Sequence, residues 1–318
     1  MQHPEWLPTF DTIVETQTAG LPQQAEIKWT HLSCSQIVSQ FSQRHIRFSR
    51  YHVNQMLQLR GYRKRKLVRM NDLSQVEKRN EQFEKIAVYR KRFTDMNFPI
   101  LSIDTKKKEL LGNFYRPDTC YAQSMRRVND HDFASFSQGQ IIPHGIYDIN
   151  TNTGYVTLGT SKDTSEFVCD NLRQVWTQHL QYLYPHAHTM MILCDGGGSN
   201  ASAHYIVKQD LCKLSNQLKL NILMVHYPLY CSKYNPIEHR LFSQISRAWQ
   251  GVPFYNIQFV KELTDKTSTS TGLKVFAEIN TKQYYCNRQV AENFKTNLNN
   301  QVVFDDKIPK WNYLIKPA

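Results

Sequence analysis

The sequence has no apolar run approaching the roughly 20 residues that a membrane helix requires. Its start, MQHPEWLPTF, has neither the basic nor the apolar region of a signal peptide. A protein that stays in the cytoplasm, without a membrane partner, is therefore expected. The seven cysteines are scattered singly with no C-x-x-C pair, so neither a disulfide framework nor a tetrahedral zinc site is indicated, and reduced, mostly buried thiols are expected. Acidic residues are in deficit, 27 against 39 Lys and Arg, which gives a formal net charge of +12 and a pI near 9.3. Such a balance points to a polyanionic partner, nucleic acid ahead of an anionic membrane surface. With 318 residues and a hydrophobic fraction of 41%, the chain can bury one substantial core and a smaller second one.

Gly20-Leu-Pro-Gln-Gln24 reads as a linker after a short N-terminal helix. Ile37 and Phe41 then recur at helical spacing behind serines able to cap, and a second helix opens on Ser49, places Val53, Met56 and Leu57 on one face and stops near Gly61. This is a helix-turn-helix pattern, weakly specific by itself. The second helix would offer Arg50, His52, Asn54, Gln55 and Gln58 to a DNA groove. The run Arg63, Lys64, Arg65, Lys66, continued by Arg69, tips the reading toward DNA, because clustered cations gain affinity for phosphate by releasing condensed counterions. A long polar helix over residues 74–95, with Phe83, Ile86 and Phe93 as its apolar contacts, reads as a connector.

Beyond it, Ile100, Leu101 and Ile103 form a short strand ending on Asp104, with Lys106, Lys107 and Lys108 directly after, as a phosphate contact or a solvated basic turn. GQIIPHGIYDIN and TGYVTLGT are two strands joined by hairpin-turn chemistry at residues 150–154. A helix follows through Phe167, Leu172, Val175, Trp176 and Leu180. The apolar strand HTMMILCDGGGSN then ends on Asp195. A helix near residues 201–218, the strand LNILMVHYP and a last helix opened by Asn235-Pro236, with Glu238 in its first turn, complete the order. Three strands, helix, strand, helix, strand, helix is the layout of an α/β RNase H-like core, a mixed five-stranded sheet with flanking helices.

Acids at the ends of the first and fourth strands and on the closing helix would meet at one point in such a sheet. Three carboxylates suit hard cations, Mg²⁺ or Mn²⁺, and two such ions about 3.5–4 Å apart would activate an attacking oxygen and stabilise a leaving one. The plain alternative makes each acid a cap or surface residue: Asp195 at a turn, Glu238 at a helix start, Asp104 paired with a lysine. Gly196-Gly197-Gly198 would let a nucleic-acid backbone approach, since neither phosphate-binding pattern, G-x-x-x-x-G-K-[ST] or G-x-G-x-x-G, is present there. His226, Cys231 and His239 match no usual zinc spacing, and Tyr234 and Trp249 read as core rather than as base-stacking residues. Lys233 and Arg240 flank Glu238, as DNA contacts or as surface ion-pair partners.

The runs SIDTKKKELLGNF, HDF with GIYDINTNTGYV, ILCDGGGSN and SKYNPIEHRLFS resemble successive blocks of the Rhodopirellula-type DDE transposases, the ISAzo group of bacterial insertion sequences. WTHLSCSQIVSQF with RFSRYHVNQMLQLRGY, TSTSTGLKV and WNYLIKP resemble further blocks, so the likeness spans nearly the whole chain. It implies a transposase that cuts and rejoins DNA at element ends, with Asp104, Asp195 and Glu238 as catalytic, metal-binding triad. It further implies Mg²⁺ or Mn²⁺ as cofactor, DNA as partner, a homo-oligomer assembled on DNA, and a place at the bacterial nucleoid. A hydrolysing nuclease or resolvase, or a decayed DNA-binding derivative, are the alternatives. The expected organisation is a helix-turn-helix domain over residues 1–70, a connector helix over 71–96, the core over 97–255 and a C-terminal extension packing on it over 256–318. Two departures stand out. Tyr227 to Ser232 replace an expected Pro-Pro-Gly-Thr-like turn, and the family pattern begins further upstream than Met1, so the N-terminal domain is expected to be short of a helix.

Overall fold

The computed structural model describes residues 4–21, 24–65, 78–129, 131, 133–197, 200, 202–228 and 231–318. The chain divides into two compact units, Met1–Met70 and Asn71–Ala318.

In the first unit α1 (Leu7–Glu15) precedes an antiparallel pair, β1 (Thr18–Leu21) and β2 (Gln24–Thr30), followed by α2 (Cys34–Ser42) and α3 (Arg50–Leu59). The linker expected at residues 20–24 is thus corrected: Gly20 pairs with Lys28 and Leu21 with Gln24 in a β-ladder. The local Gly-Leu-Pro chemistry marks a reversal of the chain, which a hairpin needs as much as a linker does. α2 starts on a capping box, in which Ser33 Oγ accepts from the Gln36 amide and Gln36 Oε1 accepts from the Ser33 amide at 2.8 Å. Ser49 caps α3 by accepting from His52 N at 3.3 Å, and Gly61 ends it at φ +79°, a left-handed turn that favours glycine. Phe10, Ile13, Ile37, Phe41, Phe48, Val53 and Met56 close one small core.

The second unit opens with α4 (Arg79–Asp95), then β3 (Ile100–Thr105), β4 (Glu109–Leu110), β5 (Gln140–Asp148), β6 (Thr153–Gly159), α5 (Ser165–Val175) and, after a π-helical turn at Trp176–Leu180, α6 (Gln181–Leu183). β7 (Thr189–Cys194), α7 (Tyr205–Leu218), β8 (Asn221–His226), α8 (Ser243–Trp249) and α9 (Ile257–Asp265) follow. β9 (Lys274–Asn280), α10 (Phe294–Gln301), β10 (Val302–Phe304) and β11 (Asn312–Ile315) end the chain. The sheet order is β10-β11-β8-β7-β3-β5-β6-β9, with β4 on β5. Its centre, β6-β5-β3-β7-β8, holds the five strands of the α/β core: β3-β5-β6 antiparallel, β3-β7-β8 parallel.

The C-terminal residues go further than packing on that core, since β9 joins β6 in parallel and β11 joins β8 antiparallel, extending the sheet at both edges. α4 likewise belongs to this unit. Ile86 and Phe93 pack beside Ile100, Met191 and Val225, and buried Gln82 bonds the His226 carbonyl at 2.8 Å and Asn312 Oδ1 at 3.0 Å. β7 is buried along its whole length, because helices cover both faces, which explains its unbroken apolar sequence. One face, with Leu101, Ile103, Ile192 and Met224, packs on α5 and α7. The other face carries Tyr147, Ile237, Leu241, Phe242 and Ile245 in one cluster and Ile100, Met191 and Leu193 in another. Among the described residues no helix is long and apolar enough to cross a membrane.

Candidate active site

Side chains alternate across a strand, so Asp104 shares the face of Ile100 and Ser102, and Asp195 that of Met191 and Leu193. That is the face on which Ile237, Leu241 and Phe242 lie. The parallel register Ile100↔Met191, Leu101↔Ile192, Ser102↔Leu193 ends two residues before Asp104 and Asp195 on their strands, and the two carboxylates come near enough to repel each other. Glu238 comes from the helix that starts at Pro236, whose missing N–H makes it suited to a first turn, and that runs through a π-helical turn, Glu238–Phe242, into α8.

Two glycines give this helix its seat. A Cβ at Gly145, the residue paired with Asp104, would stand 2.6 Å from the Phe242 ring and 2.8 Å from Ile237 Cδ1. One at Gly154 would collide with Leu241 Cδ1 at 2.3 Å. Hydrogen bonds hold the helix start as well: Ser102 Oγ donates to Asn235 Oδ1 and accepts from Ile237 N at 3.0 Å, while Asn235 Nδ2 donates to the Ile103 carbonyl at 3.2 Å. The sequence reading missed Ser102, Gly145 and Gly154. A glycine in each of two adjacent apolar strands was the one available signal.

The three acids are half-buried. Burial is the main cause that pushes the Asp104 carboxyl from 3.8 up to about 7. Repulsion from Asp195 comes next and Glu238 adds to it, against the hydrogen bond donated by the Thr105 amide. Asp195 Oδ1 accepts from the Gly197 amide at 3.3 Å. Among the described residues none of the three is in a salt bridge, which removes the reading of Asp104 as a partner of a nearby lysine. No basic side chain among the described residues, then, stands within ion-pair distance of these carboxyls. Nor are any three His, Cys, Asp or Glu side chains among the described residues, these acids included, gathered closely enough to hold a metal ion as they stand. The acids are an open, all-oxygen set, which fits a hard cation that keeps water and takes phosphate oxygens as further ligands.

Lys106 is half-buried, its Nζ 5.5 Å from the centre of the Trp249 ring, and burial lowers its pKa. Lys107 and Lys108 are exposed, and all three line a cavity of about 450 Å³ together with Arg116 and Gln250. A side chain at Gly196 would meet nothing within 4 Å among the described residues, so no contact with them demands glycine there; Gly198 lies outside the described residues. Of the Tyr227 to Ser232 stretch, Leu229 and Tyr230 also lie outside them. His226 is buried between the carbonyls of Trp311 and Asn200, and His239 is exposed on that of Lys233, so the two histidines do not converge with Cys231. Trp249 is core, its Nε1 donating to Thr264 Oγ1 at 3.1 Å. Tyr234 is half exposed with its ring against Phe83.

In the first unit Arg50, Asn54, Gln55 and Gln58 are exposed along α3, as are Arg63, Lys64 and Arg65 beyond it; Lys66 and Arg69 lie outside the described residues. His52, on the same helix, is half-buried: its ring lies against Phe48 and Trp6, 5.6 and 6.2 Å between ring centres, and its Nδ1 bonds Ser49 Oγ. Tyr51, which the sequence reading passed over, is 67% exposed instead, and Gln55 Nε2 donates to its hydroxyl at 2.8 Å.

A mixed sheet whose strands run third-second-first-fourth-fifth, with acids at the ends of the first and fourth and on the helix crossing them, is an RNase H-like fold. The chain matches the Rhodopirellula transposase DDE domain over residues 9–317 and belongs to that family, one of DNA-cleaving and strand-transferring enzymes. Among solved structures it is similar to the Mos1 transposase paired-end complex with left transposon end, at 15% identity over 82% of this chain and 70% of that one, TM-score 0.47. It is also similar to the Mos1 strand transfer complex (14%, 82% and 69%, TM-score 0.47) and to the mariner Mos1 paired end complex with Mg (17%, 74% and 66%, TM-score 0.48). No curated protein matches it.

Proposed function

We propose that this transposase acts on the ends of an insertion sequence, with Asp104, Asp195 and Glu238 as the ligands of its divalent cation, Mg²⁺ or Mn²⁺. The observation that carries this is the meeting of the three acids: Asp104 and Asp195, each two residues past the paired Ser102 and Leu193, repel each other, and Glu238 acts on Asp104 from the helix, without a cation in ion-pair reach among the described residues. Divalent cations, when bound there, supply activation of the attacking oxygen and stabilisation of the leaving one in an in-line phosphoryl transfer. The chain's own part is positional and electrostatic. Ser102 and the glycine floor fix where the acids stand, and Asp104 must shed its proton before it can serve as a ligand. Lys106, Lys107 and Lys108 face the phosphates flanking the cut as point charges. Arg50, Asn54, Gln55 and Tyr51 on α3 read the element end, while Arg63, Lys64, Arg65 and Lys66 hold its backbone. Two copies of the chain on DNA would bring two ends together.

The test is a strand-transfer assay with purified protein, Mg²⁺ and DNA carrying the element's ends, beside the Glu238→Gln variant. Joined products that vanish in the variant support the reading. Cleavage without joining would make the chain a nuclease, and binding with neither a DNA-binding derivative.

A further inference from the structure

A serine in the middle of a central strand, with no exposed surface, is unusual, since a buried hydroxyl without a partner is costly to desolvate. Ser102 is that residue, and Asn235, also fully buried, is its partner 133 positions away. The helix that carries Glu238 would by its sequence be capped by Asn235, the residue before Pro236. Instead the Asn235 side chain turns to β3: Oδ1 accepts from Ser102 Oγ, and Nδ2 donates to the Ile103 carbonyl at 3.2 Å. The orphan N–H of the first turn, that of Ile237, goes to Ser102 Oγ at 3.0 Å. The strand thus caps the helix, and the helix-starting residue binds the strand. The Asn235 carbonyl completes the turn by accepting from Glu238 N at 3.2 Å.

The placement of these bonds is what gives them meaning. Ile103 O belongs to the peptide group that leads into Asp104, and Ile237 is the residue before Glu238. Beyond their bond to each other, the two side chains hold the backbone one residue ahead of an acid, and Asp104 lies on the same face as Ser102, two positions on. Apolar packing would attach the helix to the sheet just as firmly, as Leu241 on Gly154 does, but apolar contacts slide where directional hydrogen bonds do not. We propose that Ser102 and Asn235 are positioning residues that fix the separation between the Asp104 and Glu238 carboxylates, and so set the site's affinity for its divalent cation. This rests on the triad reading.

The experiment compares Ser102→Ala and Asn235→Ala with Ser215→Ala in the full chain. Ser215 is an equally buried serine whose hydroxyl donates to Leu220 O at 2.7 Å, on α7 and away from the acids. Each variant is melted, its Mn²⁺ binding is followed by electron paramagnetic resonance without DNA, and its cleavage is titrated with Mg²⁺. Loss of an outer hydrogen-bond partner lowers metal affinity about 10- to 100-fold. That loss is expected for Ser102→Ala, with DNA affinity unchanged and with cleavage partly recovered at high Mg²⁺. Ser215→Ala should lose comparable thermal stability and keep its Mn²⁺ affinity. Should Asn235→Ala fail to fold, Ser102→Ala, which removes a single atom, decides alone. Parental Mn²⁺ affinity in Ser102→Ala, or an equal loss in Ser215→Ala, overturns the positioning role while leaving the triad standing. A parent chain that takes up no Mn²⁺ overturns both.

Discussion

Gly145 stands directly across the antiparallel ladder from Asp104, and the space its missing side chain leaves is filled by the Phe242 ring and Ile237 of the helix that delivers Glu238. The approach of the third acid to the first is therefore set by an absence. Gly145→Ala would place a carbon 2.6 Å from that ring and push the helix outward. Overpacking of this kind costs about 1–3 kcal/mol, so a lower midpoint in urea is expected together with a loss of cleavage larger than the stability change explains. Parental cleavage in a destabilised Gly145→Ala protein would show that the helix can shift without consequence for the acids.

Asp195→Asn should abolish Mg²⁺-dependent cleavage and leave DNA affinity within about twofold, because the amide keeps the shape and removes one negative charge from an open site. Cleavage products on gels and a filter-binding curve check this. Loss of both properties together would mean that the strand end needs the carboxylate to fold.

The raised proton affinity of Asp104 makes a statement about stability without divalent cations. Its carboxyl moves from 3.8 to about 7 in the fold, so between those values the folded state binds more protons than the unfolded chain. Stability from this group is greatest near pH 4 and falls as pH rises toward 7. Asp104→Asn removes the titration. In chelator at pH 8 it should be more stable than the parent, by about 1–3 kcal/mol, and the difference should close near pH 4. Melting curves across that range check it; a variant less stable at pH 8 would mean that the ionised carboxylate is well solvated where it stands.

Replacing Arg63, Lys64 and Arg65 together by Ala should weaken binding to every DNA sequence alike. Each phosphate that is no longer neutralised lowers the slope of log affinity against log salt by about 0.9. Tyr51→Ala or Asn54→Ala should instead reduce preference for the element end and leave that slope in place. Fluorescence anisotropy at several salt concentrations separates the two. A triple variant with the parental slope would place these cations away from the DNA backbone.

Strands buried on both faces and helices with local caps were legible along the chain. β7 shows as an apolar run with Asp195 directly after it, β3 as a mostly apolar run reaching Asp104, and α3 as a serine cap, an apolar stripe and a stopping glycine. The β1–β2 pair was not, since Gly-Leu-Pro marks a chain reversal but does not say whether the flanking residues pair. The half-burial of His52 was not legible either, because helical period assigns a face, whereas the width of the core, here reaching Trp6 and Phe48, decides how much of the helix that face covers.

The basic charge, the order of elements of an α/β core and the positions of three candidate acids on it were legible in the sequence, because each depends on local pattern and residue chemistry. Tertiary structure alone decided that Asp104 comes near Asp195, that Gly145 and Gly154 form a floor, and that Ser102 caps a helix from a neighbouring strand. Register and close approach join residues far apart in the chain, 133 positions for Ser102 and Asn235 and 230 for Gln82 and Asn312, and no local pattern carries that information.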